Sequence, residues 1–475
     1  MAKSKITVLE RWLSSQGTRR GLCAGLVALS FGGLVLERAS GAEWPVPAGS
    51  PARGVVFAGP HGEGSFAPSA SKVLANGGHV LVELRLKADA ARIERAPISM
   101  VVLLDTSGSM DGGKLDDAKR SIARMLAALH DEDRVALVRY DSNAELIVPL
   151  TDLAAGRARL GAALADLSPD GGTNISAALN HGLDALGAEL KGGRVKRMVL
   201  VSDGLDEGRA ESQRIAARAA SHGVTVSSLG IGLDFDEGYL AAVAAAGQGN
   251  FGFAEDAARL QQFLERESEY AARTAIEGAV AELDLAPGLE LVRAYGIDGV
   301  RSASGHVTVP IGAIAAGQER RIVVELATSE RATAERLSID ATVAWSARSG
   351  ESARIQLART EILASADSAA VAASRDPRVW ASALEVMARA QQLDAAAAYS
   401  RGDHDEARQR GRASIDLLEQ AAASAPSARA AAIENDGRGY RDLQQLYEAP
   451  GRTDEGRAAA KRAAERAAHG LTNEE

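Results

Sequence analysis

The chain has 475 residues, of which 46% are hydrophobic and 25% charged, with a formal net charge of −9. That balance is globular and excludes collagen-like, low-complexity and wholly disordered classes, and at roughly 100–200 residues per domain the length implies about three domains. No Lys/Arg-rich block offsets the negative charge, which argues against a nucleic-acid surface; the lone Cys23 excludes a disulfide framework, and the scattered histidines give no zinc-ligand spacing.

Residues 1–42 read as an export leader. Lys3, Lys5, Arg11, Arg19 and Arg20 form a positive start, Gly21 to Leu36 carries no charge, and Ser40-Gly41-Ala42 places small residues where a signal peptidase reads. The apolar run is short for a membrane span, so the expectation is a periplasmic or secreted protein cut after Ala42, without a membrane span once processed. An uncleaved anchor is the alternative. Arg19-Arg20 also resembles a twin-arginine export signal.

Residues 43–78 are rich in Gly, Pro and Ser and predict a linker or irregular arm. Residues 79–97 hold a half-buried strand, His79 to Lys87, by the alternation of Val80, Val82, Leu84 and Leu86. It is expected to join a later β-domain.

From residue 98 to 270 strands and helices alternate. Ser99 to Leu104 is a continuous apolar run, as a parallel strand covered on both faces requires, and Arg197 to Ser202 is a second buried strand centred on Met198 to Val201. Leu115, Ala118, Ile122, Met125 and Leu129 recur at helical spacing. Val135 to Tyr140 and Ala144 to Val148 flank Asp141-Ser142-Asn143 and predict a hairpin. The pattern predicts a doubly wound, Rossmann-like α/β sheet with one antiparallel edge strand. Residues 275–365 change to a period of two and predict a β-sandwich-like domain. Residues 367–475 are Ala-, Arg- and Glu-rich and predict a helical tail with few apolar anchors, separable from the rest, whose Arg452 to Arg466 stretch is a solvated face. Gly402-Asp403 marks a turn between two of its helices. The fold class is thus multidomain.

The chemistry-bearing residues lie in the α/β segment. Ligands of such sheets bind at the carboxyl ends of the strands. One strand ends in Asp105-Thr-Ser107-Gly-Ser109, a later loop reads Asp170-Gly-Gly-Thr173-Asn, and another strand ends in Ser202-Asp203-Gly204. Each piece alone is an ordinary loop or cap. Within them Asp105, Ser107, Ser109, Thr173 and Asp203 offer two carboxylates and three hydroxyls with no soft ligand, a set suited to Mg²⁺ or Mn²⁺. Asp105-x-Ser107-x-Ser109, Thr173 and Asp203 resemble the complete metal-ion-dependent adhesion site of a von Willebrand factor type A domain, over about residues 98–270. The resemblance implies that Ser107 and Ser109 ligate the metal directly, that Thr173 does so in the ligand-bound form, and that Asp105 and Asp203 act mainly through water. An Asp or Glu carboxylate of a protein partner would complete the shell. The flanks, with Leu285-Ala-Pro-Gly288 and Gly317-Gln-Glu-Arg320, are similar to bacterial exported proteins of the inter-α-trypsin-inhibitor heavy-chain type.

These residues predict a non-catalytic, exported adhesion or binding protein. The alternatives are a scaffold working through its helical tail with an idle metal site, and a metal-dependent phosphatase-like hydrolase. The latter needs a second carboxylate as general acid where Ser107 stands. No Walker loop, Gly-x-Ser-x-Gly or His-Glu-x-x-His sequence is present. The Asn174-Ile-Ser176 sequon overlaps the candidate metal loop and is discounted.

Overall fold

The computed structural model describes residues 54–472 apart from 91–94, 192, 205, 207, 330–335, 349 and 450–452. The leader expected at residues 1–42 lies outside the described residues, as do residues 43–53.

A six-stranded sheet runs in the order β10 (Gln248–Ala254), β9 (Val224–Ile231), β8 (Val195–Ser202), β5 (Ile98–Asp105), β6 (Arg134–Tyr140) and β7 (Ala144–Asp152). All neighbours are parallel except β6 and β7, which form the expected antiparallel hairpin. Every residue of β5, β8 and β9 is buried, because both faces of the sheet are covered. Helices Lys114–Ala128, Leu153–Ala165 and Ala257–Ala272 cover one face. Helices Ile175–Ala185, Arg209–Ser221 and Glu237–Ala246 cover the other. Helix Lys114–Ala128 buries Leu115, Ala118, Ile122 and Met125, one stripe at helical spacing.

Two further sheets hold one shared core. The first has the order β1 (Val55–Gly59), β2 (Gly62–Pro68), β4 (His79–Ala88), β15 (Glu319–Thr328) and β12 (Leu289–Tyr295). The second has β13 (Arg301–Ala303), β14 (His306–Ala315), β11 (Thr274–Leu285), β16 (Arg336–Ala347), β18 (Thr360–Ser365) and β3 (Lys72–Leu74), with β17 (Ser352–Gln356) also on β16. Val82, Leu84 and Ile322 from the first meet Leu283, Val309 and Val343 from the second. The α/β module is therefore inserted between β4 and β11.

Residues 55–74 are strands β1, β2 and β3 rather than an irregular arm. The glycines that mark a loop in the sequence serve close approach in the folded sheets instead. A Cβ on Gly64 would lie 2.2 Å from the Arg85 carbonyl and 2.5 Å from the Phe57 ring, and one on Gly59 would lie 2.8 Å from Trp345.

The tail is not a separable appendage. Helices Pro377–Arg401, His404–Ser424, Ser427–Glu448 and Asp454–Thr472 fold back on both units. Trp380, Leu384 and Leu418 pack on Leu81, Val323 and Tyr295 of the five-stranded sheet. Tyr399, Tyr447, Ala460 and Ala464 join the core around Phe235, Tyr239 and Phe251 of the α/β module. Most of the tail's buried anchors are alanines, which bury little area each but admit close helix packing. Nor is the stretch after Arg452 a solvated face: Lys461 is wholly buried and Arg457 and Arg462 bind Asp234 and Glu255 of the α/β module. Gly402, at φ 85°, ends the first long helix where a turn was expected. Among the described residues no helix is long and apolar enough to cross a membrane.

Candidate functional site

The chain enters the sheet on β5, extends to β6 on one side and returns on the other side with β8. The crevice between the carboxyl ends of β5 and β8 is the point where the direction of winding reverses. Asp105 is the last residue of β5, and Ser202 and Asp203 lie at the end of β8.

Asp105 is fully buried. One of its oxygens accepts the Ser107 amide at 2.8 Å and the other the Ser202 hydroxyl at 2.7 Å. Burial pushes its carboxyl up from 3.8 to about 6; the bonds from Ser107 and Ser202 pull the other way, and the Asp203 carboxylate adds repulsion. Beyond Ser107 a short 3₁₀ turn, Gly108–Met110, is anchored by the buried Met110 and holds Ser109 at the surface. The Ser107 and Ser109 hydroxyls are 3.0 Å apart, and Ser109 donates to Asp203 at 2.7 Å. Four of the five sequence-predicted residues are thus linked in one hydrogen-bonded group.

Thr173 comes from a third segment. Its loop is tied to the first by Gly108 N–H to the Gly171 carbonyl at 3.0 Å and Asp170 N–H to the Thr106 carbonyl at 2.7 Å. The Gly172 amide donates to Ser142 at 2.8 Å, and Asn174 caps helix Ile175–Ala185 through the Ala177 amide. These bonds seat half-buried Thr173 against Gly204, where a Cβ would lie 2.5 Å from its Oγ1. Glycine there lets the loop close on the residue after Asp203.

Two neighbours were not in the predicted set. Ser202 fixes the second Asp105 oxygen. Lys114 places its Nζ 2.5 Å from Asp203 Oδ2 and 3.2 Å from the Ser109 carbonyl. A signal for Lys114 was available: it is the first residue of its helix, where a cation opposes the helix dipole and needs a compensating anion. Among the described residues no three of His, Cys, Asp and Glu converge as a metal-binding group; the candidate site is two carboxylates with hydroxyls.

Residues 99–266 match the family model of the von Willebrand factor type A domain. This segment is a von Willebrand factor type A domain. Such domains commonly bind proteins and often hold a divalent metal. The whole described fold is similar to a solved von Willebrand factor type A protein of Catenulispora acidiphila (TM-score 0.63, 17% identity, covering 87% of this chain and 97% of that one). It is also similar to the ArnB paralog VWA2 of Sulfolobus acidocaldarius (TM-score 0.57, 16% identity, covering 86% and 98%). At these identities the likeness concerns the fold. Among curated proteins, an uncharacterized protein of Synechocystis sp. is 26% identical over 49% of this chain and 57% of its own length. The uncharacterized protein YfbK of Escherichia coli is 26% identical over 44% of this chain and 37% of its own. The chain therefore matches little more than half of the first and about a third of the second.

The donor set of this von Willebrand factor type A domain fits a divalent cation. Every candidate ligand atom is a hard oxygen. The Lys114 ammonium already stands beside Asp203, marking the place as one that calls for positive charge.

Proposed function

We propose that the chain is an exported, non-catalytic adhesion or binding protein. In this reading its von Willebrand factor type A domain holds Mg²⁺ or Mn²⁺ through Asp105, Ser107, Ser109, Thr173 and Asp203 and captures a protein partner by an Asp or Glu side chain. One observation carries this reading. Three chain segments distant in sequence bring two carboxylates and three hydroxyls to the switch point of the sheet, with Ser109 at the surface. With only two anionic residues, a bound Mg²⁺ would be short of negative charge, and a partner carboxylate would supply it. A cation bound there would supply Lewis acidity toward that carboxylate. The chain's part is to position the oxygens, Asp105 through its bonds to Ser107 and Ser202.

Ser107 in place of a second carboxylate leaves a phosphatase-like reaction without its general acid, which supports a binding role. The apolar faces of the tail are spent on packing inside the molecule, which favours the α/β module over the tail as the binding surface. Export, and the kinship of the flanks with inter-α-trypsin-inhibitor-type exported proteins, rest on residues 1–42 and on the Leu285 to Gly288 and Gly317 to Arg320 stretches.

The test is calorimetry with Mg²⁺ and Mn²⁺ on wild type, Asp105→Ala and Thr173→Ala, followed by capture of envelope proteins with and without EDTA. Asp105→Ala should lose metal and partner together, and Thr173→Ala should keep some metal and lose partner. If wild type binds neither metal at millimolar concentration, or Asp105→Ala captures partners as well as wild type, the reading is wrong.

A further inference from the structure

We infer that Lys114 is a built-in counter-cation: it neutralises Asp203 while the adhesion site holds no metal, and a divalent ion must displace it, so that Lys114 sets the metal affinity. The inference rests on the metal-site reading above and deepens it.

Asp203 is fully buried and lies at the end of a strand beside Asp105. Two carboxylates taken out of water at one point repel each other and cost free energy unless positive charge is supplied. The protein supplies it from within. Lys114 Nζ is 2.5 Å from one Asp203 oxygen, while Ser109 binds the other. The lysine is held there against a local penalty, because it opens helix Lys114–Ala128, whose amino-terminal end disfavours a cation. A side chain placed in that unfavourable position and aimed at a buried carboxylate serves the carboxylate.

A second carboxylate waits for the ammonium once it is displaced. Asp234 Oδ2 is 3.9 Å from Lys114 Nζ, on the exposed loop after β9. A bound divalent ion would repel the ammonium, and Lys114 can shift toward Asp234 without leaving its helix or becoming unpaired. Asp234 already meets Arg457 of the last helix at 2.9 Å, so its charge is held in place from the far side. The affinity of the site for metal is then the difference between two cations competing for Asp203.

The experiment uses the full chain with Lys114→Met, which keeps the aliphatic stem, and Lys114→Arg, which keeps the charge. Without metal, Lys114→Met should melt below wild type, and Asp203→Asn added to it should recover the loss. In calorimetry with Mg²⁺ alone, Lys114→Met should bind at least about tenfold more tightly than wild type, because the bound ion no longer has to displace a unit positive charge from Asp203. Lys114→Arg should show no gain. If wild type binds Mg²⁺ and Lys114→Met binds it no more tightly, or Lys114→Arg gains as much as Lys114→Met, the competition is refuted and the metal site stands. If no form binds Mg²⁺ at millimolar concentration, the metal-site reading falls and this inference falls with it.

Discussion

Lys461, on the last helix, is wholly buried with its ammonium 2.8 Å from the carboxylate of Glu237, itself wholly buried on the α/β module. The same ammonium donates to the Phe235 carbonyl at 2.7 Å and lies 3.7 Å from the centre of the Phe235 ring, and the Ser400 hydroxyl of another tail helix donates to Glu237. Three elements meet at one ion pair, and burial drives the lysine below its ordinary titration range while Glu237 draws it back.

Lys461→Met should therefore destabilise the protein by about 3–5 kcal/mol, because Glu237 would be left charged and unpaired in the interior. Lys461→Met combined with Glu237→Gln should recover part of that loss. Urea denaturation of the single and double variants measures both; a single variant as stable as wild type would show the pair to be dispensable.

A chain ended at Ser365 should not melt cooperatively. It would uncover Leu81 and Val323 on one unit and Phe235 and Phe251 on the other, apolar surface that the tail now covers. Dye binding and calorimetric scanning should show exposed apolar surface and a broad or absent transition. A sharp melt near that of the full chain would mean that the tail is only docked.

Gly204→Ala tests the site without deleting an oxygen. The added Cβ meets Thr173 Oγ1 at 2.5 Å and Thr173 Cβ at 3.3 Å, so the loop must move outward. The expected stability loss is about 1 kcal/mol, since the loop borders solvent and can shift. Partner capture should fall as far as in Thr173→Ala, while metal binding persists. Unchanged capture would detach Thr173 from the site.

Asp133 should govern part of the acid limb of stability. It is fully buried and accepts both terminal nitrogens of Arg95, at 2.9 and 2.5 Å, and the amides of Ile98 and His130, each at 2.9 Å. Burial alone would raise its carboxyl, but Arg95 and the two amides outweigh it and hold the group below its ordinary range. With the folded value depressed, the stabilisation is present above the unfolded value near 4 and disappears as pH falls through the folded one. Asp133→Asn should cost about 3 kcal/mol at neutral pH. Its stability should also decline less steeply than that of wild type below about pH 5. Parallel acid limbs for the two proteins would contradict the assignment.

The α/β module could be read directly from the chain, because a parallel sheet covered on both faces demands unbroken apolar strands such as Ser99 to Leu104, and its helices carry a single stripe such as Leu115, Ala118, Ile122 and Met125. The candidate site was legible for a related reason: ligand-bearing residues follow strand ends, so Asp105 and Asp203 announce themselves by position as well as by type. What surrounds the site was not legible. Lys114 reaches Asp203 across 89 positions of sequence, and Arg457 reaches Asp234 across 223; no local pattern encodes such pairs, since side chains that meet through the fold leave no period in the chain. The first strands were hidden for a different reason. Their glycines satisfy contacts that exist only in the folded sheets: Gly64 meets Arg85 and Phe57 on neighbouring strands of its own sheet, and Gly59 meets Trp345 on the facing one. The tail's role was likewise decided by tertiary structure, because alanine-rich helices look solvent-facing in sequence, and only the close approach of four of them to two cores turns their small side chains into buried surface.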